Sequence, residues 1–166
     1  MIRINISASN HEVSRLIDPA KIRNAMKSAS QSAIRGVKTD IDSGVKTHFA
    51  LERDPEQKKI STRASEKNAS VDIKGTRLPL SYFRHFSGAG IGVTIENGEN
   101  RRYPQAFEAE MKSGHRGIFQ RIGRSRLPIR ELYGASYPEM ASKSEVKTKI
   151  IESMLHKYQS ELVNHL

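Results

Sequence analysis

Basic side chains are the residues of this 166-residue chain whose types and spacing indicate chemistry. The chain carries 28 Lys and Arg against 18 Asp and Glu, a formal net charge of +10. Residues 74–130 hold most of this excess, with 11 basic residues against 4 acidic ones, and most of the 11 are arginines. The planar guanidinium group suits bidentate contacts with phosphate or carboxylate. The sequence therefore predicts either an anionic partner or a solvated basic surface.

Eight of these basic residues lie within thirty positions, with Tyr103, Phe107 and Phe119 among them. Clustered arginine with aromatic neighbours is typical of nucleic-acid binders. It is equally typical of a subunit interface with an acidic partner. No helix-turn-helix or zinc-finger pattern separates the two. The expected partner or DNA contacts are Arg101, Arg102, Lys112, Arg116, Arg121, Arg124, Arg126 and Arg130.

Residue types suited to catalysis are scattered. The six histidines are isolated in the sequence and none has the spacing of a helical metal site: His11, His48, His85, His115, His156 and His165. The chain has no Cys, which excludes a disulfide framework, a thiolate zinc site and a Cys nucleophile. Glu108 and Glu110 share a strand face, and we expect them to pair with the arginines opposite. We predict no enzymatic activity, no cofactor and no metal.

The glycine-rich segment Gly88–Gly92 has a superficial likeness to a nucleotide-binding loop. It precedes a predicted strand, whereas a dinucleotide-binding fingerprint follows a strand and opens a helix. We interpret the segment as a flexible loop that leads into a sheet.

The N-terminal third is expected to form a strand and a long helix. Ile2, Ile4 and Ile6 alternate with polar residues, as in a half-buried strand. Asp18-Pro19 suits the start of a helix. Apolar residues then recur every three or four positions over about 30 residues, roughly 45 Å of helix, with bends expected at Gly36 and Gly44. This stripe comprises Ile22, Met26, Ala29, Ala33, Val37, Ile41, Val45 and Phe49.

Alternating residues in the middle of the chain predict antiparallel strands. One hairpin is expected from 59–63 and 71–74. A second turns at Asn97-Gly98, which is a two-residue hairpin signal. A third turns at Ser113-Gly114-His115, and a last strand covers 129–133. Together, residues 91–133 are expected to form one antiparallel meander.

The C-terminus is expected to form an amphipathic helix over 142–165, opened by a capping box of Ser142 and Glu145. Its apolar stripe is Val146, Ile150, Met154, Tyr158 and Leu162. The predicted fold class is α+β, an antiparallel sheet packed against the long N-terminal helix and the C-terminal helix. We predict a single domain over 1–166, with regions 1–54, 55–135 and 142–165. No apolar run has the length of a membrane span, so no membrane contact is expected.

An ordered set of short motifs resembles the minor tail protein Z family of tailed bacteriophages and prophages. The set begins with Asn100-Arg101-Arg102-Tyr103-Pro104-Gln105-Ala106-Phe107, and Met111-Lys112-Ser113-Gly114, Phe119-Gln120-Arg121 and Arg126-Leu127-Pro128-Ile129 follow. Residues 50–73 depart from the family, which is more uniformly basic there. The matching positions are Arg101, Arg102, Pro104, Ala106, Phe107, Lys112, Gly114, Gln120, Arg121, Pro128 and Ile129.

The resemblance implies a non-enzymatic virion component in the tail, assembled in the host cytoplasm. It implies a role in tail completion and head–tail joining. The implied partners are other tail or head–tail connector proteins, with a homo-oligomer and non-specific contact with DNA as further expectations. Phe107 and Ile129 are expected to lie in the core, and Gly114 to supply a turn with positive φ. A general basic nucleic-acid-binding module is the alternative function.

Overall fold

The protein is mixed α and β, which confirms the predicted fold class. The computed structural model describes residues 2–7 and 18–165. Its helices are α1 (Pro19–Ile34), α2 (Val37–His48), α3 (Tyr137–Ala141) and α4 (Ser144–His165). Its strands are β1 (Ile2–Ser7), β2 (Lys59–Ala64), β3 (Asn68–Lys74), β4 (Arg77–Pro79), β5 (Arg84–Gly88), β6 (Gly90–Thr94), β7 (Asn100–Tyr103), β8 (Ala106–Glu110), β9 (Arg116–Arg121), β10 (Ile129–Glu131) and β11 (Tyr133–Ser136).

These strands form small antiparallel sheets, with the orders β1-β3-β2, β5-β6-β7, β10-β9-β8 and β11-β4. The chain divides into two compact units. One comprises Met1–Gly44, Lys59–Lys74 and Ala141–Leu166, and the other comprises Val45–Lys58 and Gly75–Met140. The hairpin of β2 and β3 thus belongs with the helices rather than with the later strands. A single domain over 1–166 stays a prediction.

In the first unit, α1 packs against α4 and against β2 and β3. The predicted helix start is confirmed, since Asp18 Oδ1 accepts a hydrogen bond from Ala20 N at 2.9 Å and Pro19 is the first helical residue. The predicted stripe is buried from Ile22 to Ile41. From α4, the buried residues are Val146, Ile150, Met154 and Tyr158. Removing these side chains from water holds the helices together.

The predicted long N-terminal helix runs from Pro19 to His48, with an interruption at Gly36, one of the two expected bends. α1 ends at Ile34 and α2 begins at Val37, because Gly36 adopts φ +74°, a left-handed conformation that breaks the helical hydrogen-bond ladder. Gly44 does not bend α2. A Cβ at Gly44 would lie 3.0 Å from Val146 Cγ1, so its missing side chain permits close approach of α4.

The C-terminal helix begins later than predicted, at Ser144 instead of Ser142. The short helix α3 ends at Ala141, and Ser142 and Lys143 connect it to α4. The carbonyl of Lys143 accepts the first hydrogen bond of α4, from Lys147 N at 2.8 Å.

The predicted meander over 91–133 divides into separate sheets in the second unit. β6 and β7 pair with β5, while β8, β9 and β10 form a sheet of their own. The last predicted strand is also divided, since the chain leaves β9 after Glu131 and Tyr133 pairs with Pro79 on β4. A mixture of short sheets lets the chain surround one apolar core that includes Leu80, Phe83 and Ile118.

Two predicted turns contain glycine at positive φ, as the sequence indicated. Gly114 has φ +81° in the turn between β8 and β9. Gly98 has φ +93° in the connection between β6 and β7, which is longer than the expected two residues and includes a hydrogen bond from Glu99 N to Glu96 O. The segment Gly88–Gly92 is not a loop before a sheet, because Gly88 pairs with Gly90 in a tight hairpin of β5 and β6.

Among the helices of the described residues, none contains a stretch of sufficient length and apolarity to cross a bilayer.

Candidate partner or nucleic-acid surface

The predicted basic cluster is divided by the β8–β9 hairpin. The strands place Lys112 and Arg116 at the turn end of the hairpin, and Arg121 and Arg130 at its opposite end. A strand rises about 3.3 Å per residue, so the five residues of β8 separate the two groups by roughly 15 Å. The sequence cluster is therefore two surfaces rather than one.

The family-like motif residues meet at the end of the sheet away from the turn. Ala106 lies opposite Gln120, and Gln120 lies opposite Arg130, so these three form one row across β8, β9 and β10. Arg130 Nη2 donates to Gln120 Oε1 at 2.8 Å. In the adjacent row, whose side chains point to the other face of the sheet, Arg121 lies opposite Ile129. Residues about 25 positions apart in the chain thus meet at one end of the sheet, on its two faces.

Aromatic rings pack beside Arg121 on its face of the sheet. Arg121 Cζ lies 5.1 Å from the ring centre of Phe107, a cation–π distance. The rings of Phe107 and Phe119 lie 6.5 Å apart. The expectation that Phe107 and Ile129 are core residues is wrong, because both are only half-buried.

The connection between β9 and β10, residues 122–128, is the most exposed part of this end. We call it the basic loop. Ile122 N donates to Pro128 O at 3.1 Å and closes it. Arg124 and Arg126 are exposed, and Ile122 and Leu127 are 61% and 67% exposed. Within the described part of the chain neither arginine forms an ion pair, so both guanidinium groups are available to a partner.

The basic residues at the turn end are less available. Arg116 Nε donates to Glu110 Oε2 at 2.6 Å, and both side chains are largely exposed. This hydrogen bond raises the pKa of Arg116. The predicted pairing of the two glutamates with arginines is confirmed for Glu110. It is wrong for Glu108, whose recorded ion pair is with His85 at 3.9 Å between Oε1 and Nε2.

Arg101 and Arg102 face opposite sides of β7, because side chains alternate along a strand. Arg101 lines a cavity of about 430 Å³ together with Arg77, Tyr103 and Tyr133. Three carboxylates also line this cavity: Glu96, Glu99 and Glu139. Because arginines and carboxylates both line the cavity, it is a poor site for a simple anion. The position of Arg101 in this cavity separates it from the other predicted contacts.

A cluster that the sequence analysis missed surrounds Glu131. Its Oε1 lies 2.8 Å from His115 Nε2, and its Oε2 accepts from the Tyr133 hydroxyl at 3.0 Å. Hydrogen bonding to this carboxylate raises the pKa of Tyr133. The Glu131 carboxylate lies over Gly117, where a Cβ would be only 2.5 Å from Oε1. The missing side chain at residue 117 therefore leaves room for this cluster. His115 is 16 residues from Glu131 in the sequence and Tyr133 is 2 residues from it, and these separations follow no helix or strand period that would indicate a site. The cluster becomes visible only when β9 pairs with β10.

The same three side chains line a second cavity of about 660 Å³ with Tyr82 and Thr76. An imidazole oriented by a carboxylate has the geometry of a general base. The Thr76 hydroxyl in this cavity instead donates its hydrogen bond to Gln57 Oε1. His115 and Thr76 therefore do not form a nucleophile–base pair in this structure.

Three of the histidines that are isolated in the sequence pair with glutamates in space: His85, His115 and His165. His11 lies outside the described residues. Across residues 2–7 and 18–165 there is no group of three His, Cys, Asp or Glu side chains arranged to hold a metal ion.

Comparison of the chain with protein-family models, with curated proteins and with solved structures finds no match.

Proposed function

We propose that this chain is a non-enzymatic structural protein of a bacteriophage or prophage tail, acting in tail completion and head–tail joining. The observation that carries the proposal is the convergence of the family-like motifs. Ala106 and Gln120 lie side by side at one end of a three-stranded sheet, and Arg121 and Ile129 form the next row. A motif whose separate pieces meet at one end of a small sheet is more informative than the same pieces scattered over a fold.

The basic loop supplies the contact surface in this proposal. Within residues 2–7 and 18–165, Arg124 and Arg126 present charge with no ion-pair partner, and Ile122 and Leu127 present apolar area beside them. Arginine beside exposed apolar side chains is a composition found at protein interfaces. The partners in this proposal are other tail or head–tail connector proteins that display carboxylates, or a further copy of the chain within a ring.

Deletion of the coding sequence from the phage or prophage tests the proposal. We expect lysates with filled capsids and tails that fail to join, seen by electron microscopy and restored by the wild-type chain in trans. Complementation with the double variant Arg124→Gln/Arg126→Gln should restore joining poorly. The matched control, Arg116→Gln, removes an ion-paired arginine at the other end of the hairpin and should complement fully. Normal virions in the deletion lysate would contradict the proposal.

A general nucleic-acid-binding module is the second candidate, and the exposed, unpaired guanidinium groups of Arg124 and Arg126 favour it. Neutralisation of several phosphates should give affinity that falls steeply with salt. Filter binding to duplex and single-stranded DNA tests this candidate. Absence of binding to both at about 50 mM salt, where such binding is strong, would exclude it.

A further inference from the structure

An exposed aromatic ring lies flat on the β5–β6–β7 sheet. Phe86 on β5 is directly opposite Gly92 on β6, and a Cβ at residue 92 would collide with Cζ, Cε1 and Cε2 of the Phe86 ring. The ring therefore occupies the space that a side chain at residue 92 would need. Phe86 is still 44% exposed, while Gly92 beneath it is buried. One face of the ring thus covers the glycine, and the other is open to solvent.

Two arginines flank this ring on the same side of the sheet. Arg84 precedes Phe86 by two residues on β5, so it shares the face of Phe86 at about 6.7 Å along the strand. Arg102 on β7 lies opposite Gly92, which places it in the row of Phe86, two strands or roughly 9.6 Å away. Both arginines are exposed. We call Arg84, Phe86 and Arg102 the Phe86 face.

The surroundings of this face carry little negative charge. Asn100 shares the face, and its Oδ1 accepts the hydrogen bond of the Thr94 hydroxyl at 2.5 Å. The adjacent residues His85 and Arg101 alternate to the other side of the sheet. The nearest carboxylates on these elements, Glu96 and Glu99, lie in the β6–β7 connection, beyond the row of Arg84 and away from Phe86.

We propose that the Phe86 face binds single-stranded nucleic acid, with one base stacked on the open side of the Phe86 ring and phosphates held by Arg84 and Arg102. Every base has an apolar π-face that an exposed aromatic ring can stack on, and flanking arginines track the backbone. In a duplex the bases stack on each other and are not free to stack on Phe86. A single strand can turn one base onto the exposed face of the ring. The proposal deepens the second candidate function and does not depend on the tail assignment.

The arrangement favours a nucleic acid over a protein partner for this face. A protein hot spot inserts an aromatic anchor into a pocket, whereas Phe86 is already held down against the sheet and presents only a flat surface. A flat ring between two arginines that form no ion pair within the described residues matches a base with its adjacent phosphates. The missing side chain of Gly92 leaves the room in which the ring lies against the sheet.

Fluorescence anisotropy with a labelled oligothymidylate, and with a duplex of equal length, tests the proposal on the full chain. Phe86→Leu keeps apolar cover over Gly92 but removes the π-face, and should weaken single-strand binding about 5- to 100-fold. Phe86→Tyr retains the ring and should bind like the wild type. Arg84→Gln/Arg102→Gln should lower the slope of log affinity against log salt by about 1.4, because each phosphate contact contributes about 0.7 for single strands. Arg23→Gln, at an exposed arginine of α1 outside the predicted contacts, is the matched control and should leave binding unchanged.

Photo-crosslinking of the wild-type chain to an oligonucleotide that carries 5-iodouracil gives a readout that does not depend on any variant. The expected result is a crosslink at Phe86, identified by mass spectrometry. Wild-type affinity in a folded Phe86→Leu variant, or crosslinks only at other residues, would overturn the inference and leave the second candidate standing. Absence of binding to any nucleic acid would overturn both.

Discussion

The ammonium group of Lys157 on α4 lies 2.8 Å from the Asp40 carboxylate on α2 and 3.1 Å from the carbonyl oxygen of Arg35. Lys157 therefore donates hydrogen bonds to both sides of the break at Gly36. It satisfies a carbonyl at the C-terminal end of α1, where the helix dipole favours a cation. It also pairs with an acidic residue in the first turn of α2, where the dipole favours an anion.

We expect Lys157→Met to lower the free energy of unfolding by about 1–2 kcal/mol, since the pair is two-thirds buried and its hydrogen bonds involve charged groups. Methionine keeps the apolar part of the side chain. Urea denaturation monitored by circular dichroism measures the change. Lys147→Met, at an exposed position of the same helix, is the control and should change stability by less than about 0.5 kcal/mol. An equal effect of the two substitutions would refute the role assigned to Lys157.

The same cluster predicts a pH dependence. Burial raises the pKa of Asp40, but hydrogen bonds from Lys157 and Ser153 outweigh it, and the pKa lies below the ordinary value of 3.8. A carboxyl group with a lowered pKa in the folded state stabilises the fold above its unfolded pKa and loses that contribution as pH falls through its folded pKa. Asp40→Asn should therefore reduce the loss of stability below pH 3.8. Denaturation curves at a series of acid pH values test this, and superimposable pH profiles for the two proteins would contradict it.

The break at Gly36 should resist substitution by any residue that has a Cβ. Gly36→Ala places alanine at φ +74°, which costs about 1–2 kcal/mol for L-residues. The loss of stability would come from backbone strain and not from a steric clash. The atom nearest to the new Cβ would be Lys157 Nζ at 3.7 Å, an ordinary van der Waals contact. Gly88→Ala is a suitable control, since Gly88 has no positive φ and no atom within 4 Å. Thermal unfolding of both variants measures the difference, and equal melting temperatures would count against the strain.

Local patterns predicted the elements of this fold well, and the reasons are visible in single residues. Asp18 and Pro19 start α1 through bonds between neighbours, and the stripe from Ile22 to Ile41 depends only on helix periodicity. The β8–β9 hairpin was also predictable from the alternation on either side of Ser113-Gly114-His115, although its register was not. Gly36 was visible as a weak point, but the sequence does not show that Lys157, more than a hundred residues later, satisfies the open helix end.

The candidate sites were less predictable, because they depend on strand register. Arg101 and Arg102 are adjacent in sequence, yet one lines a cavity and the other belongs to the Phe86 face. Lys112 is close to Arg121 in the sequence and was therefore included in the predicted basic cluster. In the β8–β9 hairpin the two residues lie at opposite ends. Phe86 and Gly92 become a pair only through the β5–β6 register, which no local periodicity specifies.

A reciprocal capping box, absent from the sequence prediction, opens α3. Ser136 N donates to Glu139 Oε2 at 2.7 Å, and Glu139 N donates to Ser136 Oγ at 3.3 Å. The first of these bonds is the main cause of the lowered pKa of Glu139. Ser136→Ala should lower the free energy of unfolding by about 0.5–2 kcal/mol. Ser125→Ala, at an exposed serine of the basic loop, offers a comparison by the same urea titration. A negligible change in Ser136→Ala would show that the box does not stabilise α3.

The apolar residues of the basic loop should be dispensable for folding, although they lie next to the core strand β9. Ile122 and Leu127 are 61% and 67% exposed, so the double variant Ile122→Ser/Leu127→Ser removes little buried area and should change the free energy of unfolding by less than about 0.5 kcal/mol. Ile118→Ala on the same strand is the contrasting substitution. Ile118 is fully buried, and its truncation should cost about 2–5 kcal/mol by leaving a cavity. Urea denaturation separates the two outcomes. A large loss of stability in the double variant would mean that the loop folds against the body of the chain, and its exposed side chains would then not be available to a partner.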